Sequence, residues 1–501
     1  MTEVLVIGAG PAGLAAARTA RARGASVTLL DSSDQLGGQF WRHLPLQRPS
    51  SDERMLHHGW ARFRELSEAV MTDDGCRVIR GAQVWAIERP SGPLDERDSF
   101  DAGTAESGAA YLAVHVVVGD PDGTERRRLV LTPDAIVLAT GAHDRTLPFP
   151  GWDLPGVFTG GAAQALAKGE RLAVGRRVVV AGAGPFLLPV AASLVKTGSD
   201  VVGVYEANRA PALVRGWLPK PWELAGAASK GMELAGYLAG HVRHRIPYRL
   251  GRAVVAAHGT DRVEAVTIAA VTPGWAPIPG TEQRIEVDAV CVSHGFTPRL
   301  ELAIAAGCEL TAERFALVDD RQLTSVPGVF AAGEITGIGG VDLALAEGQV
   351  AGHVAAGGDA TDSELRPAVR RRRTFRGFAG RMEAAHGIRA GWPAMLTDDT
   401  IVCRCEEVSY GTLCATADAT GSRSLRALKL STRAGLGICQ GRVCGRTIET
   451  LLADRAGDAG LTDGVSTDRR PIAAPIRLGE LADSALPEPA LQNPVPLKGP
   501  K

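Results

Sequence analysis

The chain has 501 residues and a formal net charge of -1, which is enough length for roughly three domains and gives no overall attraction to nucleic acid or to an anionic membrane. Residues 1–3 lead directly into an apolar run, so we expect no signal peptide. The 8 cysteines are too few and too unevenly spaced for a disulfide framework, which favours a reducing, cytoplasmic location and a metal site.

The first forty residues carry a dinucleotide-binding pattern. An apolar run is followed by a G-x-G-x-x-G turn, whose residues are Gly8, Gly10, Pro11, Ala12 and Gly13. The first glycine permits a tight turn, the second lets the backbone approach a pyrophosphate, and the third lets helix and strand pack closely. A second apolar run ends at Asp31, whose carboxylate can accept hydrogen bonds from a ribose diol. The alternative interpretation is a glycine-rich turn that binds no ligand.

Two features beyond this turn favour FAD over a nicotinamide nucleotide. The loop after Asp31 contains Gly38, Gln39 and Arg42, and the last two can donate hydrogen bonds to a phosphate or to the isoalloxazine edge. An ordinary polar surface loop is the alternative for this segment. A later apolar run ends in Thr140 and Gly141, where the chain can turn directly over a bound cofactor.

A third segment, VPGVFAAGEITG, repeats this pattern much farther along the chain. It ends in Gly333 and Glu334, and a helix is predicted to begin near Gly340. The Glu334 carboxylate can then contact a ribityl chain, and the helix N-terminus can face the flavin pyrimidine. Three separated segments of this kind are typical of flavin dinucleotide sites.

The middle of the chain contains a second copy of the opening unit. Gly182 and Gly184 match the pattern, Leu187 replaces the third glycine, and Glu206 ends the next strand. Glu206 suits an unphosphorylated ribose, so NAD would be favoured over NADP. The alternatives are a structural repeat or a site for another nucleotide. Residues 178–195 are free of charge, but the internal G-A-G-P sequence predicts strand, turn and helix rather than a membrane span.

These patterns predict an α/β protein with two interleaved Rossmann-like domains. The first domain comprises residues 1–160 and 288–360, with an inserted β-sheet at about residues 77–131, and the second comprises residues 161–287. Residues 361–398 are predicted to be a basic linker, in which Arg370 to Arg373 form either a docking face or a solvated helix face. Nucleic acid binding has no supporting fold pattern here. Residues 464–501 are predicted to be a tail that is loose or lies along a neighbouring subunit.

Four cysteines near the C-terminus predict a metal-binding domain at residues 399–463. Cys403 and Cys405 are separated by one residue, and Cys439 and Cys444 are separated by four. Four thiolates can hold two irons with bridging sulfides, and glycines in the second loop leave backbone amides free to donate to the sulfurs. Structural zinc usually prefers C-x-x-C pairs, so this spacing favours a 2Fe-2S cluster over zinc or free thiols.

Taken together, these motifs resemble the larger subunit shared by hydrogen cyanide synthase, opine oxidases and dye-linked proline or hydroxyproline dehydrogenases. The resemblance covers nearly the whole chain and depends on VIGAGPAGLAAA, GGQFWR, ATGAHDRTLPFPGWDLPGVFTGGAAQAL, VAGAGPFLLPVA, GFTPRLEL, AAGEITGIGG, VCRCEE and CQGRVCG. It implies a fold of the pyridine nucleotide-disulfide oxidoreductase type with a C-terminal 2Fe-2S domain.

The resemblance also implies a function in electron transfer. An amino-acid-oxidase-type flavoprotein subunit would oxidise the amine or amino acid, and this chain would pass the electrons through FAD and the cluster to an acceptor. A small iron-sulfur subunit, FMN at a subunit interface, another adenine nucleotide in place of FAD or NAD, and peripheral membrane association are all left open. No catalytic residue is assigned, because the chain lacks a convincing general base. The alternatives are a self-sufficient NADH-dependent reductase and a non-enzymatic metal or redox sensor.

Overall fold

The computed structural model describes residues 1–45, 48, 53–88, 112–456 and 472–482. The elements of the first nucleotide fold up to the first domain crossing are β1 (Glu3–Ile7), α1 (Pro11–Ala22), β2 (Ser26–Asp31), α2 (Glu53–Leu56), α3 (Trp60–Met71), β3 (Cys76–Arg80), β4 (Ala82–Glu88), β5 (Ala113–Val118), β6 (Arg127–Leu131), β7 (Ala135–Leu138) and β8 (Ala142–Asp144). β1 pairs in parallel with β2 and β7, and β2 pairs in parallel with β3. The central strands β1, β2 and β7 are almost wholly buried, as expected of a parallel sheet covered on both faces.

The inserted sheet begins later than the sequence indicated. β4, β5 and β6 form a three-stranded antiparallel sheet, whereas β3 belongs to the main parallel sheet. The sheet starts at Ala82, whereas the predicted start at about residue 77 lies inside β3. Residues 89–111 of the predicted insertion lie outside the described residues.

The second nucleotide fold extends beyond its predicted limits at both ends. Its elements are β9 (Val157–Thr159), α4 (Gly160–Gly169), β10 (Arg177–Gly182), α5 (Leu187–Lys196), β11 (Asp200–Glu206), α6 (Ala210–Trp217), a 3-10 helix (Pro221–Ala227), α7 (Ala228–Arg243), β12 (Tyr248–Leu250), β13 (Arg252–His258), β14 (Ala265–Ala270), β15 (Gln283–Glu286) and β16 (Ala289–Ser293). Its parallel sheet has the order β12-β11-β10-β16-β9. The predicted limits of 161 and 287 exclude β9 and β16 and are therefore too narrow, since both strands pair within this sheet.

The chain then returns to the first fold. The returning elements are β17 (Phe296–Pro298), α8 (Glu301–Ala305), β18 (Val329–Ala331), α9 (Gly340–Ala355), a 3-10 helix (Ser363–Leu365) and α10 (Arg366–His386). β17 pairs with β8 as an antiparallel ribbon, so both domain crossings run side by side. β18 pairs with β7 and completes the first sheet. Gly348 and Gly352 let α9 approach α1 closely, because a Cβ atom at either position would lie 2.1 Å from an α1 carbonyl oxygen.

The predicted basic linker is largely a structural helix that joins the two folds. α10 packs against α9 of the first fold and against α6 of the second. Arg372 is buried and donates to the carbonyl oxygen of Asp320 and the side chain of Gln322. Neither proposed role for the arginine run, a docking face or a solvated linker face, accounts for this buried contact. The charge run could not reveal it, because its partners lie about fifty residues away in sequence.

The C-terminal domain is small and packs on the second fold. Its elements are a 3-10 helix (Trp392–Met395), β19 (Ile401–Cys403), β20 (Val408–Ser409), α11 (Tyr410–Thr420), α12 (Leu425–Thr432) and α13 (Gly445–Ala456), and the tail contributes α14 (Leu478–Ala482). One hydrophobic core joins Cys403 and Cys444 to Ala183 and Ala207 of the second fold. In the tail, Glu480 forms an ion pair with Arg126 next to the inserted sheet. The described part of the tail therefore contacts its own chain.

The charge-free segment at residues 178–195 forms most of β10, a turn and most of α5, as predicted. In the part of the chain that the structure describes, no helix combines the length and the apolar character needed to cross a bilayer.

Candidate functional site: a nucleotide cleft next to a four-cysteine loop

The turn after β1 has the geometry that the glycine pattern predicts. Gly8 has a φ of +107°, and a Cβ atom there would lie 2.3 Å from the carbonyl oxygen of Ala139. A Cβ atom on Gly13 would lie 1.7 Å from the carbonyl oxygen of Gly8, so only glycine allows the start of α1 to pack on this turn. Around Gly10 the nearest heavy atom to such a Cβ is 4.0 Å away, at Gly38. The turn therefore leaves a cradle beside Gly10 that a side chain would fill, which suits a pyrophosphate.

Asp31 lies at the end of β2, as expected, but its carboxylate already accepts two backbone hydrogen bonds. The Ala9 amide donates to Oδ2 at 2.6 Å, and the Ser33 amide donates to Oδ1 at 2.8 Å. Burial raises the pKa of Asp31, although these amides and the nearby Arg299 and Arg42 oppose the shift. Asp31 thus fixes the glycine turn, and its remaining lone pairs are those available to a ribose.

The loop that contains Gly38, Gln39 and Arg42 forms a wall of the cradle. A Cβ atom on Gly38 would lie 2.9 Å from the Cα atom of Gly10, so the two backbones touch. Gln39 and Arg42 are exposed, whereas Trp41 between them is buried and donates to the carbonyl oxygen of His58. The buried Trp41 therefore anchors the loop, while the exposed Gln39 and Arg42 side chains can contact a ligand.

Two segments from distant parts of the chain complete the cleft. Thr140 donates to the carbonyl oxygen of Arg299, which holds the turn at Gly141 against the returning chain. Gly333 has a φ of +85° and a Cβ atom there would lie 2.9 Å from the Cβ atom of Ala12 on α1. The glycine turn is therefore close to the Gly333 segment.

Glu334 has a partner within the chain. Its Oε1 atom accepts the Gly340 amide at 2.8 Å, so the carboxyl group covers the start of α9. Burial raises the pKa of Glu334 to about 7. The predicted helix start at Gly340 agrees with the structure, whereas the predicted contact of Glu334 with a ribityl chain stays a prediction.

Glu347 and Arg376 were not predicted from the sequence, and together they hold the Gly333 segment in place. The buried Glu347 carboxylate accepts the Gly333 amide at 3.0 Å and the Thr336 hydroxyl at 2.6 Å. Arg376 of α10 donates to the same carboxylate through Nε at 3.1 Å and Nη2 at 3.0 Å. A glutamate within the apolar stretch of α9 was the available signal, because a buried carboxylate requires a partner.

The second glycine turn is covered by the chain itself. Gly182 and Gly184 have φ values of +136° and +98°, and Ala183 between them lies in the core shared with the C-terminal domain. A Cβ atom on Gly184 would lie 3.8 Å from the Cβ atom of His386, at the end of α10. His386 therefore lies beside the turn, where a bound dinucleotide would place its phosphates.

The Glu206 carboxylate is already hydrogen-bonded within the chain. It is fully buried and accepts the Gly184 amide at 2.8 Å, the Tyr248 hydroxyl at 3.3 Å and the Asn208 side-chain amide at 3.0 Å. The His386 Nδ1 atom lies 3.3 Å from its Oε2 atom. Because a carboxylate offers about four lone-pair positions, little capacity remains for a ribose.

The four predicted cysteine ligands lie together at the C-terminal domain. The Sγ atoms of Cys403 and Cys444 are 3.7 Å apart, and Cys439 contacts both Cys444 and Cys405. Within the described ranges, only His353, Asp362 and Glu364 place three His, Cys, Asp or Glu ligand atoms within 4.8 Å of one another, and Arg23 forms ion pairs with both of those acids. A tetrahedral zinc ion with bonds of about 2.3 Å needs sulfurs roughly 3.8 Å apart. The Cys403 and Cys444 sulfurs match that distance, but no three of the four sulfurs lie within 4.8 Å of one another, so the group as a whole is wider than a single zinc site.

Donors around two of these sulfurs, those of Cys403 and Cys439, favour the thiolate form, whereas burial raises the pKa of Cys405. The Gly435 amide donates to Cys403 Sγ at 3.4 Å. The Cys444 thiol and then backbone amides, including that of Gly435, lower the pKa of Cys403 to about 6. The Cys444 thiol and then the amides of Val443 and Gly441 lower the pKa of Cys439 to about 4. The four thiols thus fit a thiolate-bound cluster; Cys403 and Cys444 are buried, Cys439 is half-buried and Cys405 is exposed.

One further contact joins the cysteine loop to the first cleft. The Nε2 atom of His143, two residues after Gly141, lies 3.1 Å from the carbonyl oxygen of Arg442. The Arg442 guanidinium donates to Glu301 at 2.6 Å and to the carbonyl oxygen of Ala473 at 2.6 Å. Neither His143 nor Arg442 was predicted from the sequence, although both lie in motifs that it singled out.

Comparisons with known proteins agree with this architecture. Residues 2–353 match the family described as pyridine nucleotide-disulphide oxidoreductase, and residues 401–454 match the BFD-like [2Fe-2S] binding domain. The chain is 33% identical over 500 residues to an opine oxidase subunit from Agrobacterium tumefaciens, covering 96% of this chain and 91% of that protein. It is 29% identical over 453 residues to hydrogen cyanide synthase subunit HcnB of Pseudomonas protegens, covering 88% of this chain and 89% of that protein.

Among solved structures, the L-proline dehydrogenase from P. horikoshii shares the fold. The TM-score is 0.63 at 20% sequence identity, and the match covers 96% of this chain and 79% of that one. The predicted family, fold class and iron-sulfur domain type are confirmed. The chain therefore belongs to the pyridine nucleotide-disulphide oxidoreductase family, in the group that includes these opine oxidase subunits, and carries a C-terminal BFD-like [2Fe-2S] binding domain.

Proposed function

We propose that the chain is the electron-transferring subunit of a multi-subunit dehydrogenase or oxidase that acts on an amino acid or amine. The C–N bond is oxidised on a partner, a flavoprotein subunit of the amino-acid-oxidase type. FAD held in the cleft of the first fold would supply an acceptor of two electrons that can release them singly, and a 2Fe-2S cluster held by Cys403, Cys405, Cys439 and Cys444 would supply a one-electron carrier. The names of the relatives, which are subunits of oxidases or synthases, support this proposal.

The observation that carries the proposal is the contact between the two sites. Thr140 and Gly141 line the cleft, and β8 leads from them to His143, which touches Arg442 between Cys439 and Cys444. Residues that would hold a flavin are thus joined through a single hydrogen bond to the residues that would hold a cluster. Such proximity suits transfer of electrons within one polypeptide.

Each residue of the first cleft has a part in binding the nucleotide. The cradle at Gly10 and Gly38 would take the pyrophosphate, and the exposed Arg42 supplies positive charge beside it. The free lone pairs of Asp31 would accept the adenosine ribose hydroxyls. These contacts suit FAD, and they suit another adenine nucleotide equally up to the second phosphate. FMN at the interface with the partner is compatible with either occupant.

The alternative, a self-sufficient NADH-dependent reductase, has less support. It needs a nicotinamide nucleotide on the second glycine turn. His386 lies beside that turn, and the Glu206 carboxylate already accepts hydrogen bonds from donors of this chain. The second fold instead supports the C-terminal domain, because Ala183 and Ala207 share a core with two of the cysteines.

The decisive test is anaerobic purification followed by visible spectroscopy, metal analysis and stopped-flow mixing. We expect flavin and iron-sulfur absorption, two irons and two acid-labile sulfides per chain, and no rapid bleaching of the flavin by NADH. Zinc without labile sulfide, or a spectrum that lacks both chromophores, would refute the proposal. Rapid bleaching by NADH would instead establish the reductase.

A further inference from the structure

Helix α7 presents a solvent-facing surface that contains no charge. From Ala228 to Val242, every exposed residue of this helix is Ala, Ser, Gly, Met, Leu or Val. The two charged residues in this range, Lys230 and Glu233, are half-buried and pair with each other at 2.8 Å. A surface helix normally carries its charged residues on the outer face, so this arrangement is inverted.

The exposed side chains on and before α7 are large and apolar. Met232 and Val242 are 73% and 80% exposed, and the exposed Leu234, Leu238 and Val242 follow one another at i, i+4 spacing on one face. Trp222 of the preceding 3-10 helix is 70% exposed, and Leu218 just before it is also exposed. Lys220 and Glu223 form an exposed ion pair beside these two residues. Several exposed large apolar side chains that include a tryptophan are typical of a protein interface.

Three glycines on α7 are not required by any contact within the chain. A Cβ atom at Gly231, Gly236 or Gly240 would meet no heavy atom within 4 Å, and none of the three has a positive φ. Glycine destabilises a helix relative to alanine, so these positions carry a cost that the isolated fold does not require. Close approach of another backbone would explain them.

The helix is attached to both sides of the first nucleotide cleft. Lys230 forms an ion pair at 3.1 Å with Asp342, two residues after Gly340 at the start of α9. Tyr237 lies 2.7 Å from the Nε2 atom of His58, whose carbonyl oxygen accepts the hydrogen bond from Trp41 in the cleft loop. A protein bound to α7 would therefore lie beside the predicted flavin site.

Positive charge borders the apolar surface. Arg243 and Arg245 follow the last apolar position of α7, and Arg215 lies on α6; all three are exposed. None of them has an ion-pair partner among the residues that the structure describes. An occupant with an acidic rim around an apolar centre would complement this surface.

We propose that the uncharged face of α7, together with Trp222 and Leu218, is the docking surface for the flavoprotein subunit that supplies electrons. This inference rests on the proposed function, which requires such a partner. It places electron entry at the first cleft, and it assigns to the flavoprotein an apolar surface with an acidic border. A second copy of this chain would bring basic borders together, which disfavours self-association.

The test uses the full chain co-expressed with an amino-acid-oxidase-type flavoprotein from the same source genome. Size-exclusion chromatography and titration would compare the wild type with the double variant Leu238→Glu/Val242→Glu. We expect the double variant to lose affinity by at least about tenfold, because two charges would be buried without partners. Its flavin and iron-sulfur spectra should be unchanged, since neither side chain contacts the cleft.

Two further variants separate docking from folding. Gly236→Leu should not lower the melting temperature of the isolated chain, since leucine is a better helix former than glycine, yet it should block close approach and weaken the complex. Met71→Glu introduces the same charge at a distant exposed methionine at the end of α3 and should leave the affinity unchanged. The complex should also weaken as salt concentration rises.

The remaining outcomes overturn the inference. A wild-type complex that survives both α7 changes would refute the docking surface and leave the proposed function intact. Absence of any complex between the wild-type chain and the flavoprotein would refute both. Binding of the wild-type chain to phosphatidylglycerol vesicles, lost in the double variant, would assign the surface to a membrane, and a dimer abolished by the α7 variants would assign it to a second copy.

Discussion

The Nε2 atom of His143 lies 3.1 Å from the carbonyl oxygen of Arg442. His143 belongs to the strand that leaves the nucleotide cleft, and Arg442 lies between the last two cysteines of the metal-binding loop. Burial lowers the pKa of His143, so the neutral ring donates its Nε2 proton to this carbonyl. Two segments 299 residues apart are thereby held in one orientation.

Arg442 should be important for stability beyond its charge. We expect Arg442→Gln to lower the free energy of unfolding by about 2 kcal/mol, because the half-buried guanidinium donates to Glu301 and to the carbonyl oxygen of Ala473. Urea denaturation measures this change. Faster hydrogen exchange in residues 472–482 should accompany it, since that segment loses its contact with the cysteine loop.

Arg433 provides the matched control for this substitution. It also lies in the cysteine loop and contacts Glu406 at 2.6 Å, but its side chain is 70% exposed. Arg433→Gln should cost less than about 1 kcal/mol, because water screens the pair. Equal losses in the two variants would contradict the structural role assigned to Arg442.

The cysteines differ in what their removal should do. We expect Cys403→Ser to abolish iron-sulfur absorption and acid-labile sulfide, because serine replaces a buried thiolate ligand that accepts the Gly435 amide. Cys414→Ser, on α11 and outside the four-cysteine group, should retain both signals. Iron and sulfide assays on the two purified variants decide the matter, and a full cluster in Cys403→Ser would exclude this residue as a ligand.

Arg376 should stabilise the cleft through Glu347. Arg376→Met leaves the buried Glu347 carboxylate without its cationic partner, so we expect a loss of about 3 kcal/mol in unfolding free energy. Adding Glu347→Gln should recover part of the loss, since the neutral amide needs no countercharge. Arg373→Met removes an exposed arginine three residues earlier on α10 and should change stability little. A double variant no more stable than Arg376→Met would argue against the pairing.

Glu334 should make the stability of the nucleotide-free protein depend on pH. Burial raises its pKa from 4.5 in the unfolded chain to about 7 in the folded chain. The folded state therefore keeps its proton while the unfolded state loses it, and stability falls as pH rises from 4.5 to 7. We expect Glu334→Gln to be more stable than the wild type at pH 8, by up to about 3 kcal/mol, and equal to it below about pH 4.5. A difference that is the same at both pH values would rule out this titration.

The order of elements and the family could be predicted from the sequence because local patterns carry them. The glycine turn at Gly8 to Gly13, the buried strands and the spacing of Cys403, Cys405, Cys439 and Cys444 are each set within a few neighbouring residues. Steric limits on a turn act at that range, so the glycine turn has the predicted geometry, and the four cysteines lie together.

The domain boundaries and the partners of charged residues depended on long-range packing. β3 joins the parallel sheet although its pattern resembles that of β4, and α10 joins both folds although its arginines resemble those of a solvated helix. Glu206 could hold a ribose in a free Rossmann fold, but here donors from Gly184, Tyr248 and Asn208 occupy its carboxylate.

The sequence by itself thus determined which segments could bind a dinucleotide and an iron-sulfur cluster, because those abilities reside in short stretches of backbone and in four thiols. Only the tertiary structure decided that the first cleft stays open, that His386 and the C-terminal domain cover the second, and that His143 and Arg442 join the open cleft to the cysteines. The physical reason is that burial and hydrogen-bond saturation depend on contacts between residues far apart in the chain.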